Sequence, residues 1–273
     1  MTWTTFRIVP GIGRDAVIAA LFGVGAQAVQ EDGAAIITSF PETVDVAAVR
    51  AAVRAADPTA MVASGDLPEI DWSEAWKARL AAHEVGGLTI SPPWLAEGRD
   101  PATTIVIDPG MAFGTGDHPT TRGVLRLLAR FVRPGMNVAD LGAGSAALAI
   151  AAAKLGATRV AAVELDHDAI ENAIENTVMN GVADRVQVIE GDAYALLPLL
   201  APVDLVLANI ISSVLIPLLP AIAAALPAGG VAILSGLLVE EQARMRQAFA
   251  EGGWHEVAAD EEAAWWSVAI QRP

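Results

Sequence analysis

From about residue 118 onward the chain alternates between runs rich in Val, Ile and Ala and runs with helical periodicity. In order these are TTRGVLRLLARFV (helix), MNVADLG (strand), AALAIAAAKLG (helix), RVAAVEL (strand), HDAIENAIENTVMNG (helix), VQVIEGD and DLVLANI (two strands), SVLIPLLPAIAAAL (helix), VAILSGL (strand) and EEQARMRQAFAEGG (helix), before WHEVAAD and WWSVAIQ (two strands). No other feature limits the fold as strongly, because parallel neighbours need a crossover of a dozen residues or more and a helix supplies it. The pattern predicts a doubly wound, mostly parallel α/β sheet of seven strands. Its last two strands have no helix between them and must pair antiparallel.

The first segment reads differently. TFRIVP, DAVIAALFG, QAVQED, AAIITSF, VDVAAVRAAVRAA and TAMVAS follow one another as β-α-β-β-α-β, the split βαβ or ferredoxin-like order. Residues 1–66 hold four Arg, no Lys and seven Asp or Glu, so this α+β module offers no basic surface to RNA. In DWSEAWKARLAAH (71–83), Trp72, Trp76 and Leu80 recur every fourth residue, which predicts an amphipathic helix. The expected division is a small protein-binding module over 1–66, a linker helix over 67–85 and the doubly wound domain over 86–273. A length of 273 residues agrees with more than one core.

Composition narrows the chemistry. The net charge of −15 repels nucleic acid, and it either favours a basic or neutral partner or simply keeps the protein soluble. With no Cys, neither disulfides nor thiolate metal sites are available, and no His–carboxylate cluster has metal-ligand spacing. Apolar runs stop short of membrane-spanning length and MTWTTFRIVPGIGRD lacks a signal-peptide pattern, so a cytoplasmic location away from membranes is expected.

MNVADLGAGSAALAI carries Asp140, Gly142 and Gly144 straight into a helix, where a backbone turn and free N–H groups suit a nucleotide-like ligand. Glu164 lies 22 residues past Gly142 and ends the next strand, where a carboxylate can accept from both ribose hydroxyls; Asp166 is the weaker substitute. Asp192 ends the third strand, within reach of an adenine amino group or as a plain turn residue. These features fit NAD and S-adenosyl-L-methionine equally. Three others favour the methyl donor: Asn209 at the end of DLVLANI, the helix-free terminal strand pair, and the loop AFGTGDHPTT preceding the first strand. A dehydrogenase would be expected to carry a further catalytic domain after its nucleotide fold.

DPGMAFGTGDHPTT (108–121), DLGAGSAALAIAA (140–152), LANI (207–210) and DWSEAW (71–76) together resemble the bacterial ribosomal protein methyltransferases of the PrmA family, which modify protein eleven of the large subunit. The loop is the specific part of the resemblance; the glycine turn is common to many methyltransferases. The resemblance implies a Rossmann-like class I fold, S-adenosyl-L-methionine as cofactor, and an N-terminal domain that holds the ribosomal protein. It also implies cofactor contacts at Thr121, Gly142, Glu164 and Asn209, with Glu164 in place of a more usual Asp. Ala146 stands where a third glycine is common, and cofactor binding is expected to survive that methyl group.

Methyl transfer from a sulfonium needs an unprotonated amine in line with the S–CH3 bond. A lysine of pKa about 10.4 is only about 0.04% neutral at pH 7, and an α-amino group near 7.7–8.0 roughly 10–20%. Asn209 can accept a hydrogen bond from the amine. His118 either orients the amine, relays a proton or pins the loop. Phe113 either covers the cofactor or packs in the core. His83, His167 and His255 receive no role. The expected activity is N-methylation of lysine ε-amino or N-terminal α-amino groups of large-subunit ribosomal protein L11 by a monomer. The alternatives are a lysine methyltransferase of the same fold acting on another protein, such as an electron-transfer flavoprotein subunit, and a nucleotide-binding module without turnover.

Overall fold

The computed structural model describes residues 3–41, 43–66, 80–110 and 114–272. The chain divides into two compact units, Met1–Ala78 and Arg79–Pro273.

In the first unit, β1 (Trp3–Val9), α1 (Arg14–Gly23), β2 (Gln30–Asp32), β3 (Ala35–Pro41), α2 (Val46–Ala56) and β4 (Met61–Asp66) build a sheet of order β2-β3-β1-β4. Every neighbouring pair is antiparallel. Alternation along the strands sends Phe6, Ile8, Ile36 and Phe40 inward against Val17 and Leu21 of α1 and Val49 and Val53 of α2. Phe6 and Phe40 meet edge to face at 5.5 Å. Asp45 caps α2 through Ala47 N and Ala48 N. The buried Asp57 carboxylate accepts from the N–H groups of Gly11, Ile12 and Gly13 and from Thr59, which holds its carboxyl well below the usual range and fixes the chain entering α1.

The second unit opens with a small sheet of β5 (His83–Val85), β6 (Leu88–Ser91) and β7 (Thr104–Val106), in which β5–β6 is antiparallel and β6–β7 parallel. The last residues of the expected linker helix are corrected here, since His83–Val85 is a strand. Residues 67–79, with Trp72 and Trp76, lie outside the described residues, and Leu80 to Ala82 are irregular. A two-residue Gly86-Gly87 connection closes a hairpin there, and a hairpin pairing overrides the helical periodicity that reaches His83.

The main sheet has order β10-β9-β8-β11-β12-β14-β13. Its parallel strands are β8 (Asn137–Leu141), β9 (Arg159–Glu164), β10 (Val186–Glu190), β11 (Leu205–Asn209) and β12 (Val231–Leu238), and β13 (His255–Glu262) and β14 (Trp265–Gln271) complete it antiparallel. Fold class and terminal hairpin are as the sequence predicts. The period of two splits the core: Leu205 and Leu207 of β11 face one layer, Val206 and Ala208 the other. One layer receives α3 (Pro119–Phe131) and α4 (Ala147–Lys154); the other receives α6 (Ala193–Leu200), α7 (Ser212–Ala225) and α8 (Gln242–Glu251). Helix α5 (His167–Met179) packs beside β9 and β10.

Helix α6 corrects the reading of VQVIEGD and DLVLANI as consecutive strands. It is eight residues long with Pro198 inside it, which weakens any propensity reading, and Asp192 starts it by accepting from Tyr194 N. With α6 as crossover, the parallel order of the sheet is continuous.

Candidate active site

The site forms at the carboxyl ends of β8, β9 and β11, where ligands of open α/β sheets gather. After Leu141 the chain turns sharply through Gly142 (φ 69°) and Gly144 (φ 52°) into α4, using a left-handed backbone that glycine adopts freely. Ala146 takes the same left-handed form (φ 63°) and is fully buried, so the turn keeps a glycine-like path despite its methyl group. Gly142 N and Ala143 N donate to Val163 O at 2.9 and 3.0 Å, and among the described residues no side chain caps α4.

Glu164, at the end of β9, braces this turn. Its Oε2 accepts from Gly144 N at 2.7 Å, and its Oε1 accepts from Leu165 N and Asp166 N at 2.8 and 2.9 Å. The expected ribose acceptor therefore also sets the shape of the glycine turn. Asp166 caps α5 through Asp168 N, and Asp192 caps α6, so both of these acids serve as helix caps in this structure. Asp140 is wholly buried beneath the turn; desolvation, with the Glu164 charge adding to it, pushes its carboxyl up to about 7.

A second cluster joins residues far apart in sequence. His118 is the N-cap of α3, and its Nδ1 accepts from Thr120 N at 3.4 Å. Thr120 Oγ1 lies 2.7 Å from the same nitrogen and accepts from Asn209 Nδ2 at 3.2 Å. Because Nδ1 receives a backbone N–H, it acts as an acceptor, and the threonine hydroxyl donates to it. The Thr120 lone pairs then take the Asn209 amide N–H, which turns Asn209 Oδ1 the other way. That buried oxygen has no hydrogen-bond partner among the described residues, and neither does the hydroxyl of Thr121, the residue after Thr120. Burial, and then the Arg122 charge, lower the His118 pKa, so the imidazole stays neutral near pH 7. Its ring meets Trp265 of β14 edge-on at 4.7 Å.

The loop before α3 ties both clusters together. Ser145 Oγ donates to Gly114 O at 3.1 Å, and His83 Nε2 lies 2.7 Å from Asp117 Oδ1. Phe113 lies outside the described residues. Residues without an expected role also shape the site. The buried Asn176 donates to Ser145 O and accepts from Asp108 N, while Asn180 bonds Val106 N and Val106 O. Their only sequence signal is the i, i+4 spacing of Asn172, Asn176 and Asn180 on one face of α5 and just past its end.

Residues 16–273 match the sequence pattern of the family described as ribosomal protein L11 methyltransferase (PrmA). The chain belongs to this family. A ribosomal protein L11 methyltransferase of Pelotomaculum thermopropionicum is 41% identical over 218 residues, covering 78% of this chain and 70% of the relative. One of Thermus thermophilus is 36% identical over 259 residues, 94% and 95% of the two chains. Among solved structures, a ribosomal protein L11 methylase of Lactobacillus delbrueckii subsp. bulgaricus superposes with a TM-score of 0.63 at 31% identity, over 71% of this chain and 99% of that one. The family read from the GTGDHPTT loop and the glycine turn is the family found, and its enzymes take the methyl group from S-adenosylmethionine.

The residues present fit that donor. A glycine turn at an uncapped helix start, the Glu164 carboxylate beside it and the buried, unpartnered Thr121 hydroxyl are the groups a nucleoside with an amino-acid tail requires. Gly142, Gly144, Glu164 and Thr121 are the residues that would hold it.

Proposed function

We propose that this chain methylates ribosomal protein L11 on amino groups, its lysine ε-amino groups, its N-terminal α-amino group or both. S-adenosylmethionine, when bound, supplies a methyl group on a sulfonium sulfur that is open to direct displacement. The observation that carries the reading to an amine acceptor is the orientation of Asn209. Its Nδ2 is committed to Thr120, so Oδ1 is the atom presented to an incoming N–H donor. An amine accepting a methyl group gains positive charge as it reacts, so a hydrogen bond from its N–H to Oδ1 strengthens along the reaction and favours the transition state over the ground state. His118 braces rather than takes the proton, since its Nδ1 is engaged and its basicity is lowered.

The first unit is the part we assign to L11, with the second unit performing transfer. A chain of net charge −15 attracts a basic protein and repels the RNA around it. Among the described residues no helix is long and apolar enough to cross a membrane; we assign the enzyme to the cytoplasm, as a monomer.

The test is incubation with methyl-labelled S-adenosylmethionine and purified L11, followed by mass spectrometry of L11 peptides. Label on L11 amines is expected. An unlabelled L11, with label appearing on a different protein of a cell extract, would overturn the proposal.

A further inference from the structure

Loop 114–118 connects the two halves of the site: Gly114 touches the glycine turn through Ser145, and His118 begins the relay to Asn209. It has no regular secondary structure of its own, so something outside it must fix its path. Arg122, on the first turns of α3, reaches back to it. One guanidinium nitrogen, Nη1, donates to Gly116 O at 3.1 Å and to Asp117 O at 2.5 Å. The other face of the same group is anchored on the terminal hairpin: Nε donates to Glu262 Oε1 at 3.0 Å, and Nη2 bonds the same oxygen. Helix α3 comes this close to the hairpin because of Gly123, where a Cβ would meet Ser267 Oγ at 2.3 Å.

We infer that Arg122 is a positioning residue for methyl transfer, holding the Gly116 and Asp117 carbonyls in place with Glu262 as its fixed anchor. This inference rests on the methyltransferase reading above. A planar guanidinium suits the task because it presents donors in a rigid fork, two edges at once, which an ammonium does not. Trp265 adds to the arrangement from the same hairpin by lying against His118. The hairpin thus sets the loop at its middle, through Arg122, and at its end, through His118. A loop displaced by about 1 Å slows a reaction that depends on alignment by up to about 100-fold.

Arg126, one turn further along α3, supplies the control. It binds Asp260 through Nε and Nη2 at 2.7 and 2.5 Å and Glu262 Oε2 at 2.7 Å, so it fastens the same hairpin without touching the loop. Three properties of Arg122→Gln and Arg126→Gln decide the matter. They are cleavage of the cofactor-free chain at Asp117 by an aspartate-directed protease, S-adenosylhomocysteine affinity by calorimetry, and kcat and KM for L11, each beside a thermal melt. Arg122→Gln should be cut at Asp117 at least about tenfold faster, bind the homocysteine product several-fold more weakly, and lose between about 10- and 100-fold in kcat with a smaller change in the KM for L11. Arg126→Gln should lower the melting temperature comparably and stay within about twofold of wild type in the other measurements. Arg122→Lys should recover only part of the loss.

Equal effects of Arg122→Gln and Arg126→Gln would overturn the inference, as would wild-type cleavage and kcat in Arg122→Gln. If Arg122→Gln does not fold, Glu262→Gln decides, since it frees the anchor but keeps the arginine: faster cleavage at Asp117 supports the inference and an unchanged rate refutes it. Failure of the wild-type chain to methylate L11 would sink the proposed function alone, because cleavage and product affinity still report on the loop.

Discussion

Asn209→Ala removes the oxygen that the relay presents, and the structure sets the size of the loss. The bond from the reacting amine is charge-assisted in the transition state, worth about 1.5–3 kcal/mol, which is roughly a 10- to 160-fold loss of rate. Thr120→Val keeps the buried shape but deletes a neutral hydroxyl, so the amide of Asn209 is no longer held in one orientation. That costs about 1 kcal/mol, or roughly fivefold. If Thr120 acts through Asn209, its hydroxyl matters only while the amide is there. The double variant should then be no slower than Asn209→Ala alone, a coupling energy of about 1 kcal/mol, above the about 0.3–0.5 kcal/mol scatter of independent sites. The assay is single-turnover transfer to L11 at saturating S-adenosylmethionine, with S-adenosylhomocysteine affinity measured alongside and expected to move less than the rate. Additive losses in the double variant would refute the relay. A wild-type rate in Asn209→Ala would remove this residue from the reaction.

Glu164→Ala should weaken S-adenosylhomocysteine by about 1–3 kcal/mol in calorimetry, through loss of a ribose acceptor and of the bond that shapes Gly144; unchanged affinity would place the ribose elsewhere. Asp140 has its carboxyl raised from 3.8 to about 7 in the folded chain, so the unfolded chain ionises first and stability falls as pH rises through that window. Asp140→Asn should flatten this slope in urea melts taken across it, and a persisting slope would assign the effect to another group. His118→Ala should cost about 0.5–1 kcal/mol of stability as a lost N-cap, while His118→Asn restores most of it with the wild-type pH–rate profile. A profile that loses a limb in His118→Asn would give the imidazole a proton-transfer role after all.

The fold was legible where a pattern is local and repeated. Strands buried on both faces read as continuous runs of Val, Leu, Ile and Ala, and Leu205–Ala208 is such a run. The antiparallel close of the sheet followed from the lack of a crossover between Glu262 and Trp265, a purely geometric limit. What failed was short and contested. Helix α6 has two turns and an internal proline, and only its capping Asp192 announces it, a residue that reads equally well as a ligand. At His83–Val85 the helical repeat ran on past its end, because periodicity carries no information about a strand partner such as Leu88–Ser91.

The site divides along the same line. Gly142, Gly144 and Glu164 sit within one strand-turn-helix-strand unit, so their joint purpose shows in their spacing. The relay does not show, since Thr120 and Asn209 are 89 residues apart, and a threonine at the start of a helix reads as ordinary. Arg122 and Glu262 are 140 apart, and nothing in the sequence around either one marks the other as its partner. Asn176 looks like the polar face of a helix until burial shows it tying Ser145 to Asp108. Residues that would touch a ligand thus follow motif chemistry, whereas those that hold them follow from which elements the sheet order makes neighbours. β14 lies between β12 and β13 and carries Trp265 to the edge where Asn209 ends. A sequence lacking the terminal hairpin would keep every glycine and acid of the cofactor motif and lose the Glu262 anchor and the Trp265 contact that set the loop beside it.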